Sequence, residues 1–472
     1  MQKNNFSKKK LLVSLLFFFT LVTISFFAKE SFGRFLSISF LTLFFYFVYF
    51  FSNNIPLAFL SFLILALPFN ITYQLQFDFV NTLVNNIHVN YLVPTISILD
   101  LGVFLFLASS FLQDKSSFKS IFFKFKLPLI LFSIFLLIQN FFFKDFLVLL
   151  NSVRFFSFLI SFVIFLESIQ KPKFSKKNFL TISILILCSV VFQGVVGYLQ
   201  FKGGSSVGLD FLGESRVSIN MLGSSFIALS GREILRAYGT FPHPNMLAGF
   251  FLLSLFVSIY LLKKLGKNLK AIPLLTIFLS SIFLIPTFSR VTVLLFVLSS
   301  LILSLNWLRK KPRMYSFFPI LLIERFFSLF SSSNTGLVDR VNLLKTTIPL
   351  LRDNLFLGTG LGRYVLFMGD LAPLTTNGLL LLQPVHNIFA LLLVEFGVFG
   401  FLSFLSLLWS MFRKYFKGFT LESVLILFSL VSVGMFDHYF VSLPQGLILF
   451  WLFVGLSFVE SKKLKNNKKK ID

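Results

Sequence analysis

Apolar runs long enough to cross a bilayer recur along the whole chain, and this decides what it can fold into. Where no water is present to satisfy backbone N–H and C=O groups, about 20 apolar residues must close their hydrogen bonds as a helix. Hydrophobic residues make up 56% of the 472 positions, against roughly 45–50% in soluble domains. A string of soluble domains is thereby excluded. We read an all-α, polytopic integral membrane protein of about 12–14 transmembrane helices. The predicted spans are 11–28, 33–51, 55–69, 95–113, 127–143, 147–168, 179–200, 244–262, 271–287, 290–307, 314–330, 386–412, 420–436 and 441–459. The residues before the first run are basic. A signal peptide is the competing reading there, but Phe26-Phe27-Ala28 is a poor cleavage site, so the run is taken as a retained helix.

The formal charge of +25 would suggest a nucleic-acid partner in a soluble chain. Here the lysines cluster between apolar runs, in the tails and near 115–126, 171–177, 263–270, 309–313 and 413–417. That is how cytoplasmic loops look, so both termini are expected in the cytoplasm and no nucleic acid is implied. Only Lys29, Lys144, Lys202 and Lys345 fall on the opposite side, whereas all arginines but Arg309, Arg313 and Arg413 fall there. Topology alone does not sort two cations so differently. Arginine offers a planar fork suited to bidentate phosphate contacts. His88, His243, His386 and His438 also fall outside, so polar chemistry concentrates on the non-cytoplasmic face. Three long segments lie there, 70–94, 201–242 and 331–385, the last expected to be mainly helical. The single cysteine, Cys188, excludes an intrachain disulfide or thiolate metal site.

Four stretches interrupt the apolar pattern with chemistry. Arg236-Ala-Tyr-Gly-Thr-Phe-Pro-His-Pro-Asn245 leads into a helix; an N-cap at Asn245 explains the end of it, but not Arg236, Gly239 or His243. Ser289-Arg290 puts a cation in a first helical turn, against the dipole. An anionic headgroup or diphosphate is the expected counter-ion, with a snorkelling anchor as the alternative. Gly358, Gly360 and Gly362 lack the strand and Lys-Ser/Thr of a nucleotide loop, so a tight turn letting backbone approach a substrate is expected. His386-Asn387 opens a helix whose N-terminus favours anions and a neutral imidazole able to act as a base.

Asp437-His438 could orient another group or cap a helix. Asp100 and Glu395 read as buried acids, each expected to pair with an arginine. No D-x-D pair, HExxH or other metal-ligand spacing, or nucleophilic serine elbow is visible, so the chemistry is expected to run without a metal or other cofactor.

The stretch 236–245 with the following Leu-Ala-Gly, Ser289-Arg290, the approach 349–362, and His386-Asn387 with Glu395-Phe-Gly397 together resemble the O-antigen ligase and Wzy-type O-antigen polymerase family, polytopic glycosyltransferases using undecaprenyl-diphosphate-linked glycans. The resemblance covers about the second half of the chain; within it, residues 179–472 form the ligase-like membrane region, and 1–178 read only as N-terminal membrane helices.

The resemblance implies a bacterial inner-membrane enzyme of cell-envelope polysaccharide biosynthesis. It would perform a metal-independent, inverting transfer at the outer face, from the lipid-linked donor to a glycan, lipid or protein acceptor. His386 would be the catalytic base, and Arg236 and Arg290 would bind the donor diphosphate. His243, Asn245, Arg340, Arg363, Asn387 and His438 are the candidate supporting residues. A polysaccharide or lipid-linked-sugar transporter or flippase is the alternative, but it should carry its ionisable groups in mid-membrane helices.

Overall fold

The computed structural model of the chain describes residues 20–22, 24, 32–308 and 335–461, apart from 53, 76, 78, 79, 114, 170–175, 220, 222, 230, 231, 376 and 377. The predicted span at 314–330 lies outside these residues, and that at 11–28 largely does. Among the described residues eight helices are long and apolar enough to cross a membrane, and four shorter apolar helices accompany them. The protein is an all-α polytopic membrane protein.

In chain order the helices are α1 (Phe32–Ser52), α2 (Ile55–Ala66), α3 (Ile98–Gln113), α4 (Lys115–Lys124), α5 (Lys126–Phe143), α6 (Phe146–Ile169), α7 (Lys176–Gly203) and α8 (Pro244–Lys264). There follow α9 (Ala271–Leu284), α10 (Arg290–Leu308), α11 (Thr335–Asp353), α12 (Tyr364–Met368), α13 (Ile388–Tyr415), α14 (Leu421–Phe436), α15 (Tyr439–Ser442) and α16 (Pro444–Ser461). α8 forms the centre. It is buried on nearly every face from Met246 to Phe256 and packs against α7, α9, α10 and α16. A helix apolar all round is stable only when enclosed in this way. On the periphery, Phe50, Phe51, Phe141 and Phe142 are exposed, the side-chain type that faces lipid at no cost.

Outside the helices the all-α expectation needs a supplement. Thr72–Gln74 pairs antiparallel with Thr95–Ser97, Leu83–Val84 with Ile87–His88, and Phe226–Leu229 with Arg232–Leu235. These short ribbons satisfy backbone groups in segments that Asn, Gly and Ser make poor helix formers. The segment before α13 is helical at α11 and α12, as expected. A second apolar cluster, including Leu92, Leu343, Leu350, Tyr364 and Val385, joins it to the 83–92 ribbon.

The three glycines form the expected tight turn, and at Gly358 it also packs against the protein's own backbone. Gly358, Gly360 and Gly362 all have positive φ; a Cβ at Gly358 would meet the backbone of α13, one at Gly360 the side chains of Val148 and Phe143, and one at Gly362 that of Asn151. α13 breaks at Gly397 (φ 63°, ψ −177°). Thr359 N–H donates to Val394 O at 2.9 Å and Val398 N–H to Leu355 O at 2.8 Å across the break. A Cβ on Gly358 would stand 2.4 Å from Glu395 O. Gln139 of α5 closes the junction, donating at 2.8 Å to the carbonyls of Leu357 and Glu395. The glycine turn is thus the splint of a kinked helix, which sets where the N-terminal half of α13 and the residues before it come to lie.

Candidate functional site

The chemistry-bearing segments meet at one end of the bundle, where α8, α10, α13 and α16 begin and α14 ends. The stretch 236–245 is held there by two buried glutamines of α7. Gln200 Oε1 accepts from the N–H groups of Tyr238 (3.0 Å) and Gly239 (2.8 Å), while its amide donates to Gly239 O (2.8 Å) and Glu214 Oε1 (2.6 Å). Two turns earlier, Gln193 accepts from Thr240 N–H at 2.9 Å and donates to its hydroxyl at 2.7 Å. The glutamines also account for Gly239. Its φ is +60°, and a Cβ would lie 2.2 Å from Gln193 Oε1. Buried amides that are fully paired rigidify what they hold.

The N-cap of α8 differs by two residues from the expectation. His243 takes that position, its Nδ1 accepting from Asn245 N–H at 3.1 Å, with Pro244 as the first helical residue. Asn245 is thereby released for another task. Its Oδ1 accepts from Arg236 Nη2 at 2.7 Å, and its Nδ2 donates to Asp437 Oδ2 at 2.7 Å. Arg236 Nε also donates to Thr287 O at 2.7 Å, which docks the loop on the turn before α10.

That turn places Arg290 at the start of α10, directly after Ser289. Arg236, Arg290 and Arg340, the last from α11, line one cavity of about 270 Å³ together with Asn245, Ser289 and Asp437. Neither Arg290 nor Arg340 forms a hydrogen bond or ion pair with a described residue. Arginines gathered with one carboxylate leave the cavity with an excess of positive charge. Enclosed charges are stable when paired, so the cavity is complementary to an anion.

On the other side of Asp437 lies a second cavity, of about 410 Å³, lined by His386, His438 and His243 and by neutral polar groups such as Asn90, Asn151 and Gln383. Its one arginine, Arg154, is neutralised by Asp100 at 2.8 Å and also donates to Asn151 Oδ1 and Thr95 O. The expected pairing of Asp100 with an arginine is therefore present. Among the described residues Glu395 has no such pairing: this buried acid meets the Tyr364 N–H at 3.4 Å instead.

His386 stands just before Asn387, which caps α13 by accepting from the N–H groups of Phe389 and Ala390. Its Nδ1 lies 3.7 Å from Asp437 Oδ1, an ion-pair separation longer than a hydrogen bond, and has no hydrogen-bond partner although buried. The ring is 4.9 Å from that of His438, whose Nδ1 meets Ser442 Oγ at 2.7 Å. Burial alone would raise the Asp437 carboxyl, but His386, His438 and His243 around it hold it well below the usual carboxylate range. Burial, with the neighbouring His386, pushes His438 down to about 3. One donor atom from each of His386, Asp437 and His438 lies within 4.8 Å of the others, a grouping able to hold a metal ion. No motif spacing revealed it, because α13 and α14 separate the two parts in sequence.

The fold thus brings together Arg236, Arg290, Arg340, His243, Asn245, His386 and His438 around Asp437. Asn387 serves as a helix cap. Arg363 lines neither cavity; it pairs with Asp145 at 3.2 Å and lies over the rings of Phe143 and Phe367. Sequence reasoning missed the residues of the first half, Tyr91 and Asn151 among them. They belong to no motif, and only the packing of the 70–97 segment against α6 carries them to the site.

Residues 275–405 match the family model described as O-antigen ligase (Wzy_C). The match takes in Arg290, Arg340 and His386 and stops short of Arg236 and Asp437. No curated protein matches the chain.

Proposed function

We propose that the chain is a glycosyltransferase of the O-antigen ligase type in a bacterial inner membrane, moving a glycan from an undecaprenyl-diphosphate donor to an acceptor hydroxyl. The observation that carries this reading is the pair of cavities meeting at Asp437, one lined by three arginines and the other by histidines and neutral polar groups. A diphosphate supplies an anion to the cavity that Arg236, Arg290 and Arg340 line, and their planar guanidinium forks suit its oxygens. The second cavity, where Asn90, Asn151 and Gln383 stand beside Glu395 and Asp437, suits a hydroxyl-rich acceptor.

In the reaction the acceptor oxygen bonds to the anomeric carbon from the side opposite the diphosphate, and the bond to the diphosphate oxygen breaks, inverting the centre. The acceptor proton passes to His386, and the electron pair leaves on the lipid diphosphate, where the arginines stabilise the growing charge. Asp437 faces His386 Nδ1 and stabilises the imidazolium once formed, as a carboxylate behind a general base does. No step requires a metal. The end of the bundle carrying the site faces away from the cytoplasm, in keeping with the lysines at the opposite helix ends.

The test is reconstitution of the purified chain in liposomes with an undecaprenyl-diphosphate glycan and a hydroxyl acceptor, in EDTA. The reading expects joined product and released undecaprenyl diphosphate in equal amounts. Transport of the intact donor across the bilayer without bond cleavage would overturn it.

A further inference from the structure

We propose that His386, Asp437 and His438 form a binding site for a divalent transition metal of the Zn²⁺ type, and that a metal bound there holds the transfer reaction off. Two imidazoles and one carboxylate are a ligand set that zinc accepts, leaving a fourth position for water. The donor atoms already lie within 4.8 Å of one another. Bonds of about 2.0–2.2 Å require them to close by roughly an ångström, a rotamer adjustment rather than a change of fold.

Two further observations point to a ligand. His386 Nδ1 is buried, faces Asp437 Oδ1 at 3.7 Å, and has no hydrogen-bond partner. The outer partners are also in place. Ser442 engages His438 Nδ1 at 2.7 Å, leaving Nε2 as the ligand nitrogen, and Asn245 holds Asp437 Oδ2 at 2.7 Å, leaving Oδ1. Such contacts orient metal ligands. The 410 Å³ cavity lined by all three residues gives the ion access.

The consequence for chemistry follows from the inventory of the imidazole ring. A neutral ring has one lone pair and one N–H. A metal on Nδ1 takes the lone pair and leaves the proton on Nε2, so the ring can no longer accept a proton from an acceptor hydroxyl. Metal occupation and base action therefore exclude each other. This inhibitory effect rests on the proposed function, whereas binding of the metal does not.

The experiment uses the full chain in detergent, stripped with EDTA and titrated with Co²⁺ and Zn²⁺. The expected result is one equivalent bound, with the intense visible bands of four-coordinate Co²⁺, and zinc protecting His386 from diethyl pyrocarbonate. His386→Ala and Asp437→Asn should each weaken binding by more than the roughly 10–100-fold that loss of an outer-shell partner costs, and His88→Gln should leave it intact. Weak six-coordinate spectra, unprotected His386, or undiminished binding in His386→Ala would overturn the site. The protection measurement needs no variant, so a misfolded substitution leaves the question decidable. In liposomes, zinc should suppress transfer at least tenfold and EDTA restore it. Bound zinc with unchanged transfer would overturn the inhibitory role, while a chain inactive in EDTA would count against the functional reading instead.

Discussion

Asp437 turns one carboxylate oxygen to His386, with Oδ1 3.7 Å from Nδ1, and gives the other to Asn245, which in turn accepts from Arg236. A single carboxylate thus joins the histidine of one cavity to the arginine of the next. Under the proposed function, donor binding and base orientation share a support, and losing it should affect both.

The first prediction concerns that support. Asp437→Asn keeps the shape and the contact to Asn245 in one amide orientation, but removes the charge facing the imidazole. Turnover should fall by about 10²–10³-fold, within the range that positioned acid–base groups contribute, with the chain still folded. Steady-state transfer beside a melting curve in detergent checks this; turnover within threefold of native would show that Asp437 is only structural.

A second prediction separates two kinds of arginine. Arg290→Gln and Arg340→Gln should each lower turnover by about 10²–10³-fold, the scale of losing one preorganised charge at a transition state. Both should also weaken binding of the diphosphate donor. Arg363→Met, which breaks the pair with Asp145, should lower the melting temperature and leave turnover per folded molecule near native. A donor-binding defect in Arg363→Met as large as that in Arg290→Gln would contradict the placement of these side chains.

The third prediction is acid lability at the site. His438 is held down to about 3 by burial and by His386, below the ordinary value of about 6.5. Between those values the unfolded chain binds the proton and the folded one does not. Stability should therefore fall as pH drops from about 6.5 toward 3. Asp437, also lowered, adds loss in the same direction, below its ordinary value of about 3.9. His438→Gln should flatten the upper part of this decline in melting temperature; an unchanged slope would refute the assignment.

A fourth prediction tests the splint. Gly358→Ala places a Cβ 2.4 Å from Glu395 O at a φ of +70°. The backbone strain alone costs about 1–3 kcal/mol, and the clash adds to it. We expect a lower yield of folded protein and a melting temperature several degrees down. A variant as stable as native would mean that the pairing across the α13 break is dispensable.

Much of this was legible in the residues. Apolar runs and caps located the helices, because a bilayer leaves the backbone no other means of satisfying itself. The sorting of lysine from arginine singled out the residues that gather where the two cavities meet, and His386 and Arg290 stood out as ionisable groups at helix starts, with Arg236 in the loop before another. Two matters were not legible. The glycines of 358–362 carry the mark of a tight turn, but that Gly358 admits the backbone of α13 is a matter of tertiary packing. Likewise nothing near Asn151 or Tyr91 marks them, since a neutral polar cavity wall needs no spacing. Asn245 could be read as a cap from its type alone; that His243 takes the cap, freeing Asn245 to bridge Arg236 and Asp437, depends on contacts across the bundle.

The most direct test of the account is transfer by His386→Ala, measured in EDTA with saturating undecaprenyl-diphosphate glycan and a hydroxyl acceptor, beside donor binding by the same protein. The account predicts that donor binding stays within a few-fold of native while product formation falls by at least about 10²-fold. Product formed at the native rate would contradict the assignment of His386 as the base.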